Sequence, residues 1–361
     1  MTESAPPPRL SGTLLQLGTR PLETRHGAFA LHHFHDLESG QPVLALAAGE
    51  LAGAAPLLAR VHSACATSEA FGACDCDCAE QLDAALAALA REGRGALFYL
   101  MQEGRGAGFA AKARDRMWVQ ASGQKLTTFE AYERMGLPGD HRRYGCVAHA
   151  LRLLGCESPL RLLSNNPDKQ QALEAEKLRI ADVLPLRPGA SPFNLHYLAS
   201  KSRSGHSLPH ADPSSAADLP ERVHAIEPFR LPGASELVAL AAYLVPVRVP
   251  ALRQPVWFRL HLYLDVALGR ERVALTLRAR PDAAPLAFLG RDVLIERFPL
   301  SAQRSHKARW LAAAAQIAAR GAGCAVFLPT ELEARVEDEP QPDAASRALF
   351  DWHGSSSAAR A

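Results

Sequence analysis

The chain has 361 residues, too many for one small core, so its length favours two domains. Hydrophobic residues make up 48% and charged residues 22%, an ordinary composition for a globular protein. The formal net charge of +2 and the scattered Lys and Arg residues give no concentrated basic surface, so we expect no nucleic-acid partner. We also expect no membrane partner, because no apolar run reaches about 18 residues. The start of the chain lacks a secretory signal, which favours a cytoplasmic location.

The first half of the chain shows strand and helix patterns in alternation. Residues 79–92 carry Leu82, Leu86 and Leu89 at helical spacing, and Gly93 is placed to end that helix. Short apolar runs between Gly and polar turns predict strands. The predicted strands are 28–33, 43–48, 57–62, 95–101 and 160–163, and further helices are predicted at 143–154 and 168–177. This order indicates an α+β fold built on a mixed sheet.

Composition divides the chain into two domains with polar segments around them. Residues 1–12 are Pro-rich and polar, so we expect a disordered N-terminus before a first domain at 13–204. Residues 205–221 are rich in Ser, Pro, His and Asp without apolar periodicity, which is typical of a flexible linker. We expect a second, α/β domain at 222–350 and a disordered tail at 351–361.

The two domains share a weak internal repeat. The segment VLALAAGELAGAAPLLARVHS resembles VALTLRARPDAAPLAFLGRDV, and QLDAALAALAREGRGALFYL resembles RWLAAAAQIAARGAGCAVFL. The second copy has no cysteine where the first has Cys65, Cys76 and Cys78, and it is shorter there, over residues 299–307. We interpret the second domain as a degenerate duplicate that kept the scaffold and lost a metal. The alternative is a chance similarity between Ala-rich and Leu-rich units.

Four of the seven cysteines, Cys65, Cys74, Cys76 and Cys78, fall close together. Such a cluster in a cytosolic protein favours a metal over disulfides. Three thiolates bind zinc and leave a fourth tetrahedral position for water, whereas four thiolates close the site as in a structural knuckle. Cys74, Cys76 and Cys78 would need an irregular loop to converge, because residues i and i+2 of a strand lie too far apart along it. Spacing alone leaves both ligand sets open.

Several motifs of the first domain resemble those of the GTP cyclohydrolase II family. The family pattern R-V-H-S-E-C, ten residues, C-D-C, two residues, Q-L stands here as RVHSACATSEAFGACDCDCAEQL. The match continues through EGRGALFYLMQEGRGAGF, DHRRYG, LRLLGCESPLRLLSNNPDK and FNLHYLASKSRSGH, in the family's order and near its spacing. The resemblance covers residues 27–206 and leaves the second domain outside it.

The resemblance implies one zinc ion per chain, bound by Cys65, Cys76 and Cys78, with Cys74 as an extra cysteine. It implies GTP or a related guanine nucleotide as substrate, with Mg²⁺ on the triphosphate. In this interpretation Glu103 accepts hydrogen bonds from the guanine N1–H and 2-amino groups. The implied nucleotide-contacting residues are Arg60, Val61, His62, Ser63, Gln81, Glu103, Gly104, Arg105, Thr128, Ser164 and Lys169.

Asp140 and Arg142 match a family pair assigned as the proton acceptor and as the group that attacks the α-phosphate. The implied reaction releases pyrophosphate, and a zinc-activated water attacks C8 of guanine. Hydrolysis of the cyclic amidine C–N bond opens the imidazole ring, and a second hydrolysis releases C8 as formate. The family's usual product, a diaminopyrimidine ribosyl phosphate, is the first committed intermediate of riboflavin synthesis.

Some positions close to this chemistry depart from the family pattern. Ala64 replaces a Glu beside a metal ligand, and Asp75 is an acid where Arg is common. The family's functional Tyr after the E-G-R loop is replaced by Arg116 on direct count, or by Met117 when the following Gln and Gly are aligned. Neither side chain donates a proton as a phenol would, although Tyr132 in a nearby loop could substitute. We predict that ring opening survives while formate release is impaired, which leaves a formamido-pyrimidine.

A second class of function is a non-catalytic, zinc-containing protein that binds nucleotides or acts as a scaffold. The missing Glu and Tyr favour that class, whereas Asp140, Arg142 and the three cysteines favour the enzyme. The resemblance implies a homodimer, the form expected for members of this family. The alternative is a pseudo-dimer that the degenerate copy forms within one chain.

Overall fold

The computed structural model describes residues 9–187, 189–208, 211–280, 282–292 and 306–329, together with 349 and 353. Within these residues the chain forms two sheets with helices packed against them, which confirms the predicted mixed α+β class. The strands of the first sheet are β1 (Arg9–Ser11), β2 (Leu14–Thr24), β3 (Gly27–Asp36), β4 (Gln41–Ala48), β5 (Leu57–Ser63), β6 (Gly95–Leu100), β7 (Leu160–Leu163) and β8 (Ile180–Leu184). Its helices are α1 (Ala66–Glu69), α2 (Cys78–Glu92), α3 (Gly108–Ala121), α4 (Thr128–Arg134), α5 (Gly145–Leu153), α6 (Pro167–Ala175) and α7 (Leu195–Arg203).

The first sheet has an antiparallel half and a parallel half. Its order is β1-β2-β3-β4-β6-β5-β7-β8, and β6, β5, β7 and β8 run parallel to one another. Helix α2 packs on one face through its leucines, and α5 and α6 pack on the other. Because both faces are covered, the parallel strand β6 is buried at every residue, which explains its continuous apolar sequence GALFYL.

Most of the predicted elements of the first domain are confirmed, with ends shifted by a few residues. Helix α2 ends at Glu92 because Gly93 takes a left-handed conformation with φ of 70°, and its N–H donates to the carbonyl of Leu89. The N-terminus differs from the prediction, since 9–11 pair with β2 as a strand, while 1–8 lie outside the described residues. The patterns also missed β2, α3, α4 and α7.

The second sheet follows the segment predicted to be a linker, which carries a 3₁₀ turn at Pro213–Ser215. Its order is β13-β14-β12-β11-β10-β9. One face of this sheet packs against the helix His306–Arg320. The tail predicted at 351–361 lies outside the described residues apart from His353. The elements are β9 (Phe229–Leu231), β10 (Ala234–Val247), β11 (Val256–Asp265), β12 (Arg270–Arg278), β13 (Leu286–Asp292), α8 (His306–Arg320) and β14 (Ala322–Pro329).

The two sheets repeat one connection pattern. In the first sheet β4 pairs antiparallel with β6, and β6 pairs parallel with β5 across helix α2. In the second sheet β12, β14 and β13 with α8 are joined in the same way. The strand pairing is offset from the sequence repeat by one residue, because Leu58 pairs with Gly95 and Leu286 with Gly323, whereas the shared A-A-P-L letters align Leu57 with Leu286. The connection pattern itself is the same. This is the arrangement that a degenerate duplicate would have, and the duplication stays a proposal because most of the segment 299–307 lies outside the described residues.

The two domains share a hydrophobic core. Met117 of α3 and Phe71 of the loop after α1 are buried against β10–β12 and α8. The backbone of this loop joins the second sheet, because Ala73 forms a β-bridge with Val247. Trp310 of α8 donates its indole N–H to the carbonyl of Phe71, at 2.9 Å. The loop between the first two cysteines of the cluster is therefore held by the second domain.

Candidate functional site

The predicted site residues gather where parallel strands end. Strands β5, β6 and β7 end at Ser63, Leu100 and Leu163. The segments that follow these strands carry Cys65, the E-G-R loop and the S-N-N-P turn. The carboxyl ends of parallel strands meet at one edge of a sheet, and ligands of such sheets bind there. Three motifs that are far apart in the sequence are therefore brought to one edge.

Three cysteines form a group that fits one metal ion. The Sγ atoms of Cys65, Cys76 and Cys78 all lie within 4.8 Å of one another. The Sγ atoms of Cys65 and Cys76 are 3.7 Å apart. A tetrahedral zinc ion with bonds of about 2.3 Å places its sulfur ligands about 3.8 Å apart. The thiols therefore suit one zinc ion with a fourth position left for another ligand.

Cys74 belongs to a different contact. Its Sγ donates to the carbonyl of Pro246 at 3.3 Å, and its backbone N–H donates to the same oxygen at 2.9 Å. Burial raises the pKa of this thiol to about 12. The metal-binding group in the described part of the chain contains Cys65, Cys76 and Cys78 without Cys74. Of the two ligand sets that spacing left open, the geometry favours the three-thiolate set.

The carboxylate of Glu103 lies beside the metal group, with both oxygens engaged. Oε1 accepts from Lys112 Nζ at 2.8 Å, and Oε2 accepts from the backbone N–H of Ala66 at 2.5 Å. The same Lys112 ammonium is 3.0 Å from the Sγ of Cys65. The carbonyl of Gly104 accepts from the phenol of Tyr132 at 2.8 Å. Because each carboxylate oxygen can accept two hydrogen bonds, the Oε2 of Glu103 keeps acceptor capacity for a guanine base beside its contact with Ala66.

A cavity beside Cys78 collects many of the predicted nucleotide-contacting residues. We call it the cation-lined cavity, because four basic side chains, Arg60, Arg142, Lys169 and Lys201, form its walls. Its other described walls include His62, Ser63, Gln81, Ser164, Asn166, Tyr197 and His206. Segments from β5, α2, α6 and α7 therefore converge on one place.

The charges of this cavity favour an anionic ligand. Burial and the neighbouring Arg60, Arg142 and Lys201 hold the pKa of Lys169 well below its usual range. Burial lowers the pKa of Arg60 to about 10, so it stays charged at neutral pH. The buried Nε of Arg60 and Oγ of Ser63 have no hydrogen-bond partner among the described residues. A polyanion such as a triphosphate would supply both the missing charge and the missing acceptors.

Arg60 and Lys169 are held in place by hydrogen bonds to backbone carbonyls and, for Arg60, also to the side chain of Gln81. Arg60 donates to the carbonyl of Leu163 at 2.8 Å and to Oε1 of Gln81 at 2.6 Å. Lys169 donates to the carbonyl of Val61 at 2.9 Å, so Val61 contributes its backbone oxygen, while its side chain packs in the core. These contacts orient both cations before any ligand arrives.

Asp140 and Arg142 form an ion pair with each other. The Nε and the backbone N–H of Arg142 both donate to Oδ1 of Asp140 at 2.9 Å. Burial alone would raise the pKa of Asp140, but the hydrogen bonds from Arg142 hold that pKa below its usual value. The resemblance implies that Asp140 accepts a proton. To do so, Asp140 would have to separate from Arg142.

Five predicted contact residues lie outside the described walls of this cavity, namely Val61, Glu103, Gly104, Arg105 and Thr128. Arg105 adopts a left-handed backbone conformation with φ of 55°, and its guanidinium lies 3.8 Å from the ring centre of Phe129. Thr128 lines a neighbouring cavity with Arg116. Tyr197 lines both cavities, so it stands between Thr128 and the four cations.

Arg116, and not Met117, faces the site. Met117 is fully buried in the shared core, and its sulfur accepts from the backbone N–H of Ile226. The Nε of Arg116 lies 3.6 Å from Oδ2 of Asp75, and its guanidinium lies 4.9 Å from the ring centre of Tyr197. Asp75 and Arg116 therefore compensate each other, which explains why an acid precedes the C-D-C motif here.

Helix α7 contributes two site residues that the sequence patterns missed. The phenol oxygen of Tyr197 lies 3.8 Å from the Sγ of Cys78. Lys201 donates to Oδ1 of Asp77 at 2.8 Å, and its ammonium lies 4.5 Å from the Tyr197 ring. The i, i+4 spacing of Tyr197 and Lys201 in NLHYLASKS could have marked a helix face that carries both.

Comparisons with known proteins support one family. The GTP cyclohydrolase II family profile matches residues 16–185. GTP cyclohydrolase-2 of Pseudomonas putida strain W619 is 43% identical over 188 residues, which are 52% of this chain and 90% of that protein. GTP cyclohydrolase-2 of Pseudomonas aeruginosa strain LESB58 is 44% identical over the same shares. The solved structure of RibBX, a two-domain 3,4-dihydroxy-2-butanone 4-phosphate synthase from A. baumannii, covers 50% of this chain and 41% of that chain. Its TM-score of 0.28 and 21% identity are too low to support a conclusion.

The fold and the site together define a protein with a three-thiolate metal group beside a cation-lined cavity, both at the carboxyl ends of parallel strands. The relatives named above are matched over 90% of their length. The chain therefore belongs to the GTP cyclohydrolase II family. Its second sheet, β9–β14, lies outside the matched residues 16–185. No helix among the described residues is long and apolar enough to cross a membrane.

Proposed function

We propose that the protein is a zinc-dependent hydrolase that opens the imidazole ring of GTP, or of a related guanine nucleotide, and releases pyrophosphate. The observation that carries this proposal is that Cys78 of the metal group lines the same cavity as Arg60, Arg142 and Lys169. A metal held there would lie beside a bound polyphosphate. This juxtaposition suits a substrate that carries both a phosphate chain and a base to be hydrolysed.

One zinc ion per chain would supply Lewis-acid chemistry and an activated water at Cys65, Cys76 and Cys78. Arg60, Lys169 and Lys201 would bind the phosphates, with Mg²⁺ on the triphosphate. Arg142, released from Asp140, would reach the α-phosphate, and the freed Asp140 carboxylate would accept a proton. The bond hydrolysed would be a C–N bond of the cyclic amidine in guanine.

The second hydrolysis, which releases formate, is the step that we propose to be impaired. Of the two residues that match the family's functional Tyr position, Arg116 faces the site, where it is paired with Asp75 and packed on Tyr197. Ala64 offers no carboxylate beside Cys65. The phenol of Tyr132 is engaged with the carbonyl of Gly104. The product would then keep the formyl carbon, and its use in riboflavin synthesis would need a separate deformylation.

Mass spectrometry of the products tests this proposal, with zinc-loaded protein incubated with GTP and Mg²⁺. We expect pyrophosphate and a ring-opened pyrimidine that retains the formyl carbon. Formate in an amount equal to pyrophosphate would contradict the impaired step. In the Arg116→Tyr variant we expect formate release to rise, with Arg116→Lys as the control that keeps a cation. Unchanged GTP with zinc bound would favour the non-catalytic nucleotide-binding or scaffolding function.

We also propose that the second domain takes the place of a second subunit, so that one chain forms a pseudo-dimer. The support is the repeated strand order and the core shared through Phe71 and Met117. Light scattering after size-exclusion chromatography tests it. A monomer is expected, and a stable homodimer would contradict it. The domain bounds 13–204 and 222–350 and the cytoplasmic location remain predictions from the sequence.

A further inference from the structure

A buried row of three polar side chains stands behind the cation-lined cavity. The Nε2 of His62 lies 2.8 Å from Oε1 of Glu69, and the phenol of Tyr99 donates to Oε2 of Glu69 at 2.5 Å. The exposed fractions of His62 and Glu69 are 2% and 0%. The rings of His62 and Tyr99 are stacked with centres 5.6 Å apart. The row is therefore rigid and shielded from water.

When Glu69 is ionised, it determines which nitrogen of His62 carries the proton. Burial raises the pKa of Glu69, and its contacts with His62 and Tyr99 oppose that rise. A carboxylate that accepts from Nε2–H leaves the lone pair on Nδ1, as in other carboxylate–imidazole pairs. Burial lowers the pKa of His62, so its imidazole is neutral at neutral pH. The Nδ1 atom is buried and has no hydrogen-bond partner among the described residues. His62 thus keeps an unused proton acceptor on a ring that lines the cavity beside Cys78.

Other groups in this cavity are poorly suited to accept a proton. The side chains of Arg60, Arg142 and Lys201 are basic groups that serve as hydrogen-bond donors. Lys169 has a lowered pKa, but its Nζ is held by the carbonyl of Val61 at 2.9 Å. His206 is the other imidazole of the described wall, but its Nδ1 contacts the hydroxyl of Ser204 at 3.3 Å and no carboxylate stands behind it. His62 alone combines an unpartnered nitrogen with a buried carboxylate among the residues described there.

We propose that His62 is a catalytic proton-transfer residue for ring opening, and that Glu69 and Tyr99 are positioning residues that act through it. This inference rests on the proposed function. As water attacks, an O–C8 bond forms, the C8=N7 π pair moves onto N7, and a water proton moves to Nδ1 of His62. The pair on N7 then re-forms the C8=N7 bond as the C8–N9 bond breaks, and the imidazolium returns the proton to N9. The resulting N7=CH–OH group tautomerises to the formamide. The net change is the addition of one water across the C8–N9 bond, with no oxidation or reduction.

The variant His62→Gln tests the proposal, because its amide can keep the hydrogen bond to Glu69 but cannot accept and return a proton. We expect kcat for ring opening to fall by about 100-fold or more, the usual contribution of a general acid–base residue. Zinc content and the Kd for a non-hydrolysable GTP analogue should stay within about threefold of the values for the unmodified protein. The matched control is His261→Gln, at a histidine of strand β11 in the second sheet whose Nε2 lies 3.0 Å from the hydroxyl of Thr276, and it should keep kcat within about threefold.

Glu69→Gln separates a positioning role from a purely structural one. Its amide can donate to Nε2, which would move the imidazole proton to Nδ1. We expect the ¹⁵N chemical shifts of the His62 ring to report this tautomer change, together with a drop in kcat at unchanged analogue affinity. The Tyr99→Phe variant should show a smaller drop in the same direction.

Each outcome separates this inference from the proposed function. An active unmodified protein with an equally active His62→Gln variant would overturn the inference and leave the proposed function intact. A His62→Gln variant that loses zinc or analogue binding in proportion to activity would assign His62 a structural role. A zinc-loaded unmodified protein that binds GTP without turnover would overturn both.

Discussion

Helices α2 and α8 occupy equivalent places in the two sheets, but α2 contributes polar site residues and α8 contributes apolar core residues. Each connects two parallel strands and packs on one face of its sheet. Helix α2 begins with Cys78 of the metal group, and its Gln81 accepts from Arg60. Helix α8 instead buries Trp310 against the aromatic rings of the second core. The same connection therefore supports a polar site in the first sheet and an apolar core in the second.

The strands before these helices show the same contrast at matching register positions. Arg60 pairs with Leu97 in the first sheet, and Phe288 pairs with Ala325 at the equivalent place in the second. Two residues further along, His62 corresponds to Gly290. Phe288 packs on Trp310, so the position that holds a cation in one sheet closes a hydrophobic core in the other. Shared topology thus carries the scaffold, while individual side chains carry the chemistry.

The largest expected effect comes from removing one thiol of the metal group in the first domain. In the Cys76→Ser variant we expect zinc content to fall from one ion per chain to near zero, with loss of turnover, because a hydroxyl is a poor zinc ligand. The control is Cys324→Ser, which changes a buried cysteine of the second sheet. It should keep its zinc, as should Cys74→Ser. Zinc retained in Cys76→Ser would mean that the three-thiolate assignment is incorrect.

A smaller effect is expected when the brace between the two domains, the contact of Trp310 with the loop of Phe71, is removed. Trp310 is 1% exposed and donates to the loop that precedes Cys76. Trp310→Ala should lower the free energy of unfolding by about 3–5 kcal/mol, the usual cost of truncating a buried aromatic. The weakened loop should also lower zinc affinity, measured by chelator competition. Phe229→Ala, at a residue that is 41% exposed, is the control and should cost under about 0.5 kcal/mol. Equal effects in both variants would count against the brace.

The contrast at the matched strand positions can be tested through anion binding. Arg60→Met should weaken the binding of inorganic pyrophosphate by about 10- to 100-fold, since a charge-assisted hydrogen bond is worth about 1.5–3 kcal/mol. Phe288→Leu, at the equivalent position of the second sheet, should leave the Kd unchanged. Isothermal titration calorimetry provides both values. An unaltered Kd in Arg60→Met would place the anion elsewhere.

The smallest expected effect is a pH dependence of anion binding that comes from Lys169. Its pKa is lowered in the free protein by burial and the surrounding cations, and a bound anion raises it. The complex then holds more protons than the free protein, so affinity rises as pH falls between these two pKa values. Sulfate is a suitable probe because it does not titrate in this range. One proton limits the slope to about tenfold per pH unit. Lys169→Met should flatten the profile, and an equal slope in that variant would point to another group.

Local sequence patterns predicted the elements that have one buried apolar face and one exposed polar face. Helix α2 was predictable because its leucines face the sheet, and Gly93 supplies the conformation that ends it. Helix α3 was missed because its sequence KARDRMW has no single apolar face. Met117 packs into the second domain, whereas Lys112 and Arg116 turn to the metal group and its surroundings. A helix between two such surfaces shows little periodicity.

The N-terminal strand was missed for a related reason. Residues Arg9–Ser11 are mostly exposed, Leu10 included, and they form a strand because β2 offers an unpaired edge. Edge pairing depends on backbone hydrogen bonds, which leave little trace in side-chain composition.

The sequence by itself determined the cysteine cluster, strand β5 with Arg60 and helix α6 with Lys169, because close spacing and local periodicity act through the local backbone. Only the tertiary structure decided the partners of those groups. It directed Cys74 to Pro246, tied Glu103 to Lys112, and brought Tyr197 to Cys78 from a distant helix. It also placed Glu69 behind His62 with Tyr99 on its far side. Such contacts are selected by how whole sheets and helices pack, and burial then leaves each polar group only the partners that packing brings within reach.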